Sequence, residues 1–148
     1  MKDLIKKLTE TYGPSGNEGP IREQIKRELK GLADQVTTDV MGNLTALRKG
    51  PGPRVMVAAH MDEIGFIITH IDRQGFLRFS NIGGIYPYNI ISQRVIFANG
   101  TVGTINEERQ EKPADAKRLD RMYIDIGAAS REEADRKSTR LNSSHGKL

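Results

Sequence analysis

The chain has 148 residues, enough for one domain or for a domain carrying a small insertion. Its composition, 36% hydrophobic and 28% charged, is that of an ordinary soluble protein able to bury a modest core. There is no cysteine, which excludes disulfides, thiolate metal sites and thiol catalysis. No apolar run is long enough to span a membrane, and the N-terminus MKDLIKKLTE lacks the apolar middle of a signal peptide, so a cytoplasmic protein is expected.

Residues 3–11 form a predicted amphipathic helix, with Asp3 as N-cap and Leu4, Ile5 and Leu8 as its apolar stripe. GPSGNEGP follows at 13–20 as a dense cluster of turn residues. It lacks the P-loop pattern, so it reads as a connection and not as a phosphate cradle. A second helix is predicted over 18–32, with Ile21, Ile25 and Leu29 four apart on one face. Its Lys and Arg residues fall on the other face, a solvated surface without a nucleic-acid-binding motif. Two short strands, 35–39 and 44–48, flank a turn at Met41-Gly42-Asn43, where Gly42 and Asn43 both tolerate positive φ. KGPGP at 49–53 is a sharp break.

The stretch 54–71, RVMVAAHMDEIGFIITHI, organises the chain. Residues 55–59 have the length and β-branched content of a strand buried on both faces, the pattern of a parallel sheet covered by helices. Because strand side chains alternate, His60 and Asp62 can point the same way, at the C-terminal edge where open α/β sheets bind ligands. On spacing alone the pair is equally a strand-capping histidine bonded to an aspartate and a metal ligand with its orienting partner.

From Gly65 the character becomes antiparallel β. Residues 66–71 and 76–80 flank a hairpin turn at 72–75, and 94–98 and 101–105 flank Asn99-Gly100, the strongest hairpin signal present. Between them 81–92 reads as an irregular connection, and the polar stretch 106–121 as a mobile loop. A strand resumes at 123–126, and Ser130 with Glu133 makes a capping box for a further helix.

That helix is expected to be cut off by foreign sequence. The residues DRKSTRLNSSH (135–145) are what one frame of a common sequencing-library adapter encodes, so 135–148 reads as an artefact tail left out of fold reasoning. The formal net charge of +4 would otherwise suit a nucleic-acid partner. The tail holds Arg136, Lys137, Arg140 and Lys147 against Asp135, and without it 19 basic and 18 acidic residues leave a net charge of +1. His145 lies in the tail and is not a candidate ligand.

AAHMDEIG (58–65), together with GPSG (13–16), TDVMGNL (38–44), THIDRQGFLRF (69–79), NIGG (81–84) and YIDIGAASREEA (123–134), resembles a family of dinuclear metallo-aminopeptidases. These are the glutamyl, deblocking and tetrahedral aminopeptidases of metallopeptidase family forty-two, some of which carry an endoglucanase label. The likeness covers residues 1–134. It implies an α/β fold: an α/β metallopeptidase catalytic domain, incomplete here, with an inserted small antiparallel β-barrel domain. The catalytic domain would contribute 1–66 and resume at 122–134, with the barrel at 67–121. The resemblance also implies two divalent metal ions, zinc or cobalt, sharing a bridging carboxylate, and a glutamate as general base. His60 would ligate one metal, and Asp62, the catalytic residue assigned with it, would accept the other ring N–H and fix its tautomer. The remaining ligands and the base lie downstream in the family and are absent from this chain. One histidine does not make a catalytic metal site, so the chain as given would be inactive and would not hold the metals stably. The family's substrates are peptides, its members assemble from dimers into homo-oligomers up to dodecamers, and neither nucleic acid nor membrane is implied as a partner.

The other titratable candidates have plainer readings. Glu63 adjoins the pair but faces away from it in a strand, which favours a structural role. His70 reads as a strand-surface histidine, and Asp125 as a structural residue holding a turn or a strand end. Glu107, Glu108 and Glu111 read as solvated charge. An alternative from another class is a non-catalytic β-barrel binding or structural module. A carbohydrate hydrolase finds no support, since no pair of carboxylates fit to flank a glycosidic bond can be identified.

Overall fold

The computed structural model describes residues 1–109 and 118–138, and the backbone of 145–147. The chain divides into two compact units, Met1–Asp62 and Glu63–Leu148.

The first unit holds two helices and a hairpin. Helix α1 (Lys2–Glu10) starts one residue earlier than the sequence predicts, and Met1 is its N-cap. Asp3 is therefore not the cap but an acid in the first turn, where it offsets the positive end of the helix dipole. Helix α2 (Gly19–Glu28) opens with Pro20, which costs nothing where backbone N–H groups have no intrahelical acceptor. It stops short of residue 32: Leu29 is the C-cap, and Gly31 at φ +79° turns the chain away. Of its predicted stripe only Ile21 is fully buried. Strands β1 (Gln35–Thr38) and β2 (Leu44–Leu47) pair antiparallel, from Gln35 opposite Leu47 to Thr38 opposite Leu44. Their turn uses one positive φ, at Gly42, not two. Asn43 contributes differently: its side-chain amide donates to Asp39 Oδ2 at 2.9 Å, and Asp39 Oδ1 accepts from the Met41 and Asn43 backbone N–H groups.

Residues 55–59 depart most from expectation. They form no strand, and Val55, Met56 and Val57 are 81%, 90% and 91% exposed. A strand buried on both faces takes its hydrogen bonds and both covering layers from elements distant in sequence. Within this unit β1 and β2 pair only with each other, so the apolar run has nothing to enter.

The second unit is an antiparallel barrel. Its strands are β3 (Gly65–Ile71), β4 (Leu77–Ile82), β5 (Arg94–Phe97), β6 (Val102–Glu107), β7 (Met122–Asp125) and β8 (His145–Lys147), in the closed order β3-β4-β7-β6-β5-β8. Both predicted hairpins are present. Asp72 Oδ1 takes the N–H groups of Gln74 and Phe76 around Gly75, and Gly100 at φ +84° turns β5 into β6. Alternation supplies the core: Leu77 and Phe79 from β4, Val95 and Phe97 from β5, Ile105 from β6, and Met122 and Ile124 from β7 all point inward. Phe66 from β3 meets Phe79 edge-on, ring centroids 4.7 Å apart. Gly103 is required on the inner side of β6, because a Cβ there would collide with Ile124 Cγ2.

Three boundaries differ from the sequence reading. The first barrel strand starts at Gly65, one residue before the predicted 66. Strand β7 lies between β4 and β6, with Ile105 opposite Ile124, so residues assigned to the return from the barrel are barrel strand. Strand β6 runs on to Glu107 into the predicted mobile loop, of which 110–117 lie outside the described residues. The capping box forms one residue displaced: Ser130 Oγ accepts from the Glu133 N–H, while Glu133 Oε2 accepts from Ala129. Helix α3 (Arg131–Ser138) does not stop at 134, and it buries Ala134 in the barrel core. Strand β8, within the expected artefact tail, pairs with β3 and β5. Among the described residues no helix is long and apolar enough to cross a membrane.

Candidate functional site

His60 and Asp62 do converge, though not from a strand. His60 Nδ1 lies 3.0 Å from the Asp62 backbone carbonyl and 3.1 Å from Asp62 Oδ1. A carbonyl oxygen and a carboxylate can only accept, so Nδ1 carries the ring proton. That assigns the neutral ring an unprotonated Nε2, the atom a metal would use, on a side chain 86% exposed.

Asp62 is itself engaged on its other oxygen. Ser15 Oγ donates to Asp62 Oδ2 at 2.5 Å, across 47 residues of sequence. This hydroxyl is the foremost reason that the Asp62 carboxyl lies below the usual aspartate range. The Asp62 backbone and His60 add to the effect, and partial desolvation opposes it. The carboxylate is thus ionised when it receives the imidazole N–H. In sequence the Ser15 loop reads as a connection only, and no local pattern joins positions 15 and 62.

Beside the pair is an open depression of about 270 Å³, lined among others by Arg22, Gly42, Asn43 and His60. Arg22 fixes one wall: its Nε donates to the Gly42 carbonyl at 2.7 Å, tying α2 to the β1–β2 turn. A side chain at Gly42 would collide with that guanidinium.

The remaining candidates are located elsewhere. Glu63 falls in the second unit. His70 is exposed on β3, opposite Arg78, as a strand-surface residue. Asp125 Oδ1 accepts from the Gly127 N–H at 2.8 Å, holding a turn. Glu108 is not simply solvated charge, for its Oε1 lies 2.6 Å from an Arg78 nitrogen, which also approaches Asp72 at 3.6 Å. Glu107 lies at the end of β6, and Glu111 lies outside the described residues.

Among the described residues no group of three or more His, Asp or Glu side chains could hold a metal ion. The donor set fits one ligand position, His60 with its orienting carboxylate, and not a whole catalytic site, which takes three protein ligands. What these residues do by themselves is fix a ring tautomer and orient a nitrogen.

An antiparallel barrel in one chain with a unit carrying an oriented histidine defines a class, and the comparisons identify it. Residues 42–140 match the family described as M42 glutamyl aminopeptidase, and the chain belongs to that family. A putative aminopeptidase of Acetivibrio thermocellus is 53% identical over 134 residues, covering 90% of this chain and 41% of that protein. Among solved structures, a TET aminopeptidase from a marine sediment Thaumarchaeota archaeon superposes with a TM-score of 0.87 at 33% identity, covering 97% of this chain and 43% of that one. The TET1 peptidase of Pyrococcus horikoshii, which can assemble into a tetrahedron or a large octahedral shell, gives 0.82 at 36% identity, covering 97% and 45%. This chain therefore spans about two fifths of the length of the proteins it matches.

Proposed function

We propose that this chain is the N-terminal part of a metal-dependent aminopeptidase that removes N-terminal residues from peptides. The observation that carries the proposal is His60, whose Nδ1–H is held by Asp62 so that Nε2 is left for a metal. In this reading His60 ligates one of two divalent ions, zinc or cobalt, and Asp62 fixes its tautomer. An orienting carboxylate of this kind raises the basicity of the ligating nitrogen. When bound, the metals would polarise the scissile carbonyl and activate a water. The other ligands and the general base would come from sequence beyond residue 134. The 148-residue chain is accordingly inactive, because one histidine cannot hold the pair of ions.

The reading keeps this chain as the first part of an α/β catalytic domain around an inserted barrel, with 135–148 as foreign tail. It makes the complete protein a cytoplasmic homo-oligomer. The M42 match supports the aminopeptidase assignment, and the oligomeric TET relatives support the assembly. A stand-alone binding module gains no support from the same comparisons.

The test is to amplify the locus from its source DNA and read past the codon for Ala134. A frame that continues into further carboxylate and histidine ligands is expected. The encoded full-length protein should then release N-terminal residues from peptides, and His60→Ala should lower its kcat/KM by at least about 100-fold. A full-length protein indifferent to His60→Ala would refute the assignment.

A further inference from the structure

We propose that Ser15 is a positioning residue of the His60 centre, its hydroxyl holding the Asp62 carboxylate in the orientation that receives the His60 Nδ1–H. The inference rests on the reading of His60 as a metal ligand and extends the centre by one residue, 47 positions before Asp62 in sequence.

The geometry is that of a relay. Ser15 Oγ donates to Asp62 Oδ2 at 2.5 Å, and Asp62 Oδ1 faces His60 Nδ1 at 3.1 Å, so the two carboxylate oxygens have separate tasks. Asp62 is 38% exposed, and a carboxylate at such a surface turns freely about its last bond unless something holds it. Ser15 holds the oxygen that His60 does not engage.

Ser15 is in turn fixed by its loop. Pro14 is fully buried, and Gly13 lies so close to α2 that an added Cβ would stand 2.5 Å from Ile21 Cγ2. The Asn17 N–H donates to the Pro14 carbonyl at 2.8 Å, closing a turn around Ser15, and the Gly16 N–H donates to Glu18 Oε1 at 2.6 Å. The hydroxyl is thus carried on a packed loop, so holding the carboxylate costs little additional ordering.

The serine, aspartate and histidine do not form a hydrolytic triad. In a triad the serine hydroxyl bonds to the ring, whereas here it bonds to the carboxylate, and the ring's second nitrogen is left open. Ser15 therefore acts on His60 only through Asp62. The Asp62 backbone carbonyl, 3.0 Å from Nδ1, also supports the tautomer, so loss of Ser15 should weaken the preference without abolishing it.

The test is ring-nitrogen NMR on the 148-residue chain labelled with 15N-histidine, at a pH where the rings are neutral. His60 signals are identified by their loss in His60→Gln. Wild type should show the proton mainly on Nδ1. Ser15→Ala should lower the ratio of Nδ1–H to Nε2–H by about threefold, and Ser15→Thr, which keeps the hydroxyl, should preserve it. Asp62→Ala should lower it at least as much, and adding Ser15→Ala to Asp62→Ala should lower it no further. If the backbone amide spectrum shows Ser15→Ala unfolded, Ser15→Cys, with only a weak donor, takes its place.

A folded Ser15 variant with an unchanged ratio would overturn the proposal, as would a double variant in which the two losses add. A wild-type ring protonated mainly on Nε2 would be a different failure, since it would remove the metal-ligand reading of His60 itself.

Discussion

The two units of this chain handle apolar sequence in opposite ways. In the barrel, Phe66, Leu77, Val95, Phe97, Ile105 and Ile124 are all 1% exposed or less, because each strand finds its partners within the same unit. In the first unit only Gly13, Pro14 and Ile21 are buried, and the most apolar run, residues 55–59, forms no strand and leaves three of its side chains more than four-fifths exposed. The candidate site is in the unit that lacks a core of its own. A barrel of neighbouring antiparallel strands can satisfy itself locally, whereas a strand of a parallel sheet depends on segments far away in sequence.

The largest expected effects are therefore in the barrel. Phe66→Ala should destabilise the chain by about 3–5 kcal/mol in urea unfolding followed by circular dichroism, through loss of buried area and of its contact with Phe79. The matched change in the first unit, Val57→Ala, should fall within about 0.5 kcal/mol of wild type. A comparable loss at both positions would erase the contrast.

Gly75→Ala sharpens it from the backbone side. Gly75 has φ +92°, and a Cβ there would stand 2.9 Å from the Ala128 and Ser130 carbonyl oxygens. A loss of about 1–3 kcal/mol is expected in the same assay. Surface charge should matter less. Glu108→Gln, which breaks the half-exposed pair with Arg78, should cost about 0–1 kcal/mol and less still at high salt.

The smallest effect concerns pH and the β1–β2 turn. The Asn43 side chain and the backbone N–H groups around the turn hold the Asp39 carboxyl below its ordinary value. A depressed folded-state value means that the stabilisation is present above the unfolded value and lost as pH falls through the folded one. The Asn43 amide signal should therefore keep its turn-specific position down through the ordinary aspartate range and shift only below it. An earlier shift, at the ordinary value, would show that the turn does not hold the carboxylate.

Legibility in the sequence follows the same division. The turns at Asp72 to Gly75, at Asn99-Gly100 and at Asp39 to Asn43 are readable because the residues that make them lie within a few positions of one another. His60 and Asp62 are readable as a pair for the same reason. Ser15 is not, since its partner lies 47 residues away. The place of β7 between β4 and β6, and the pairing of Glu108 with Arg78, are long-range matters without a local signature. The exposure of Val55, Met56 and Val57 escapes a sequence reading because a β-branched apolar run states a preference for burial, not the presence of a partner.

The measurement that tests this contrast most directly is native-state hydrogen exchange, read peptide by peptide across the chain. Residues 54–59 should exchange at the rate of unstructured backbone while β4, β5, β6 and β7 remain protected, the barrel standing without the partner that the first unit requires. Protection of 54–59 equal to that of the barrel strands would contradict it, and would mean that this chain completes its own sheet around His60.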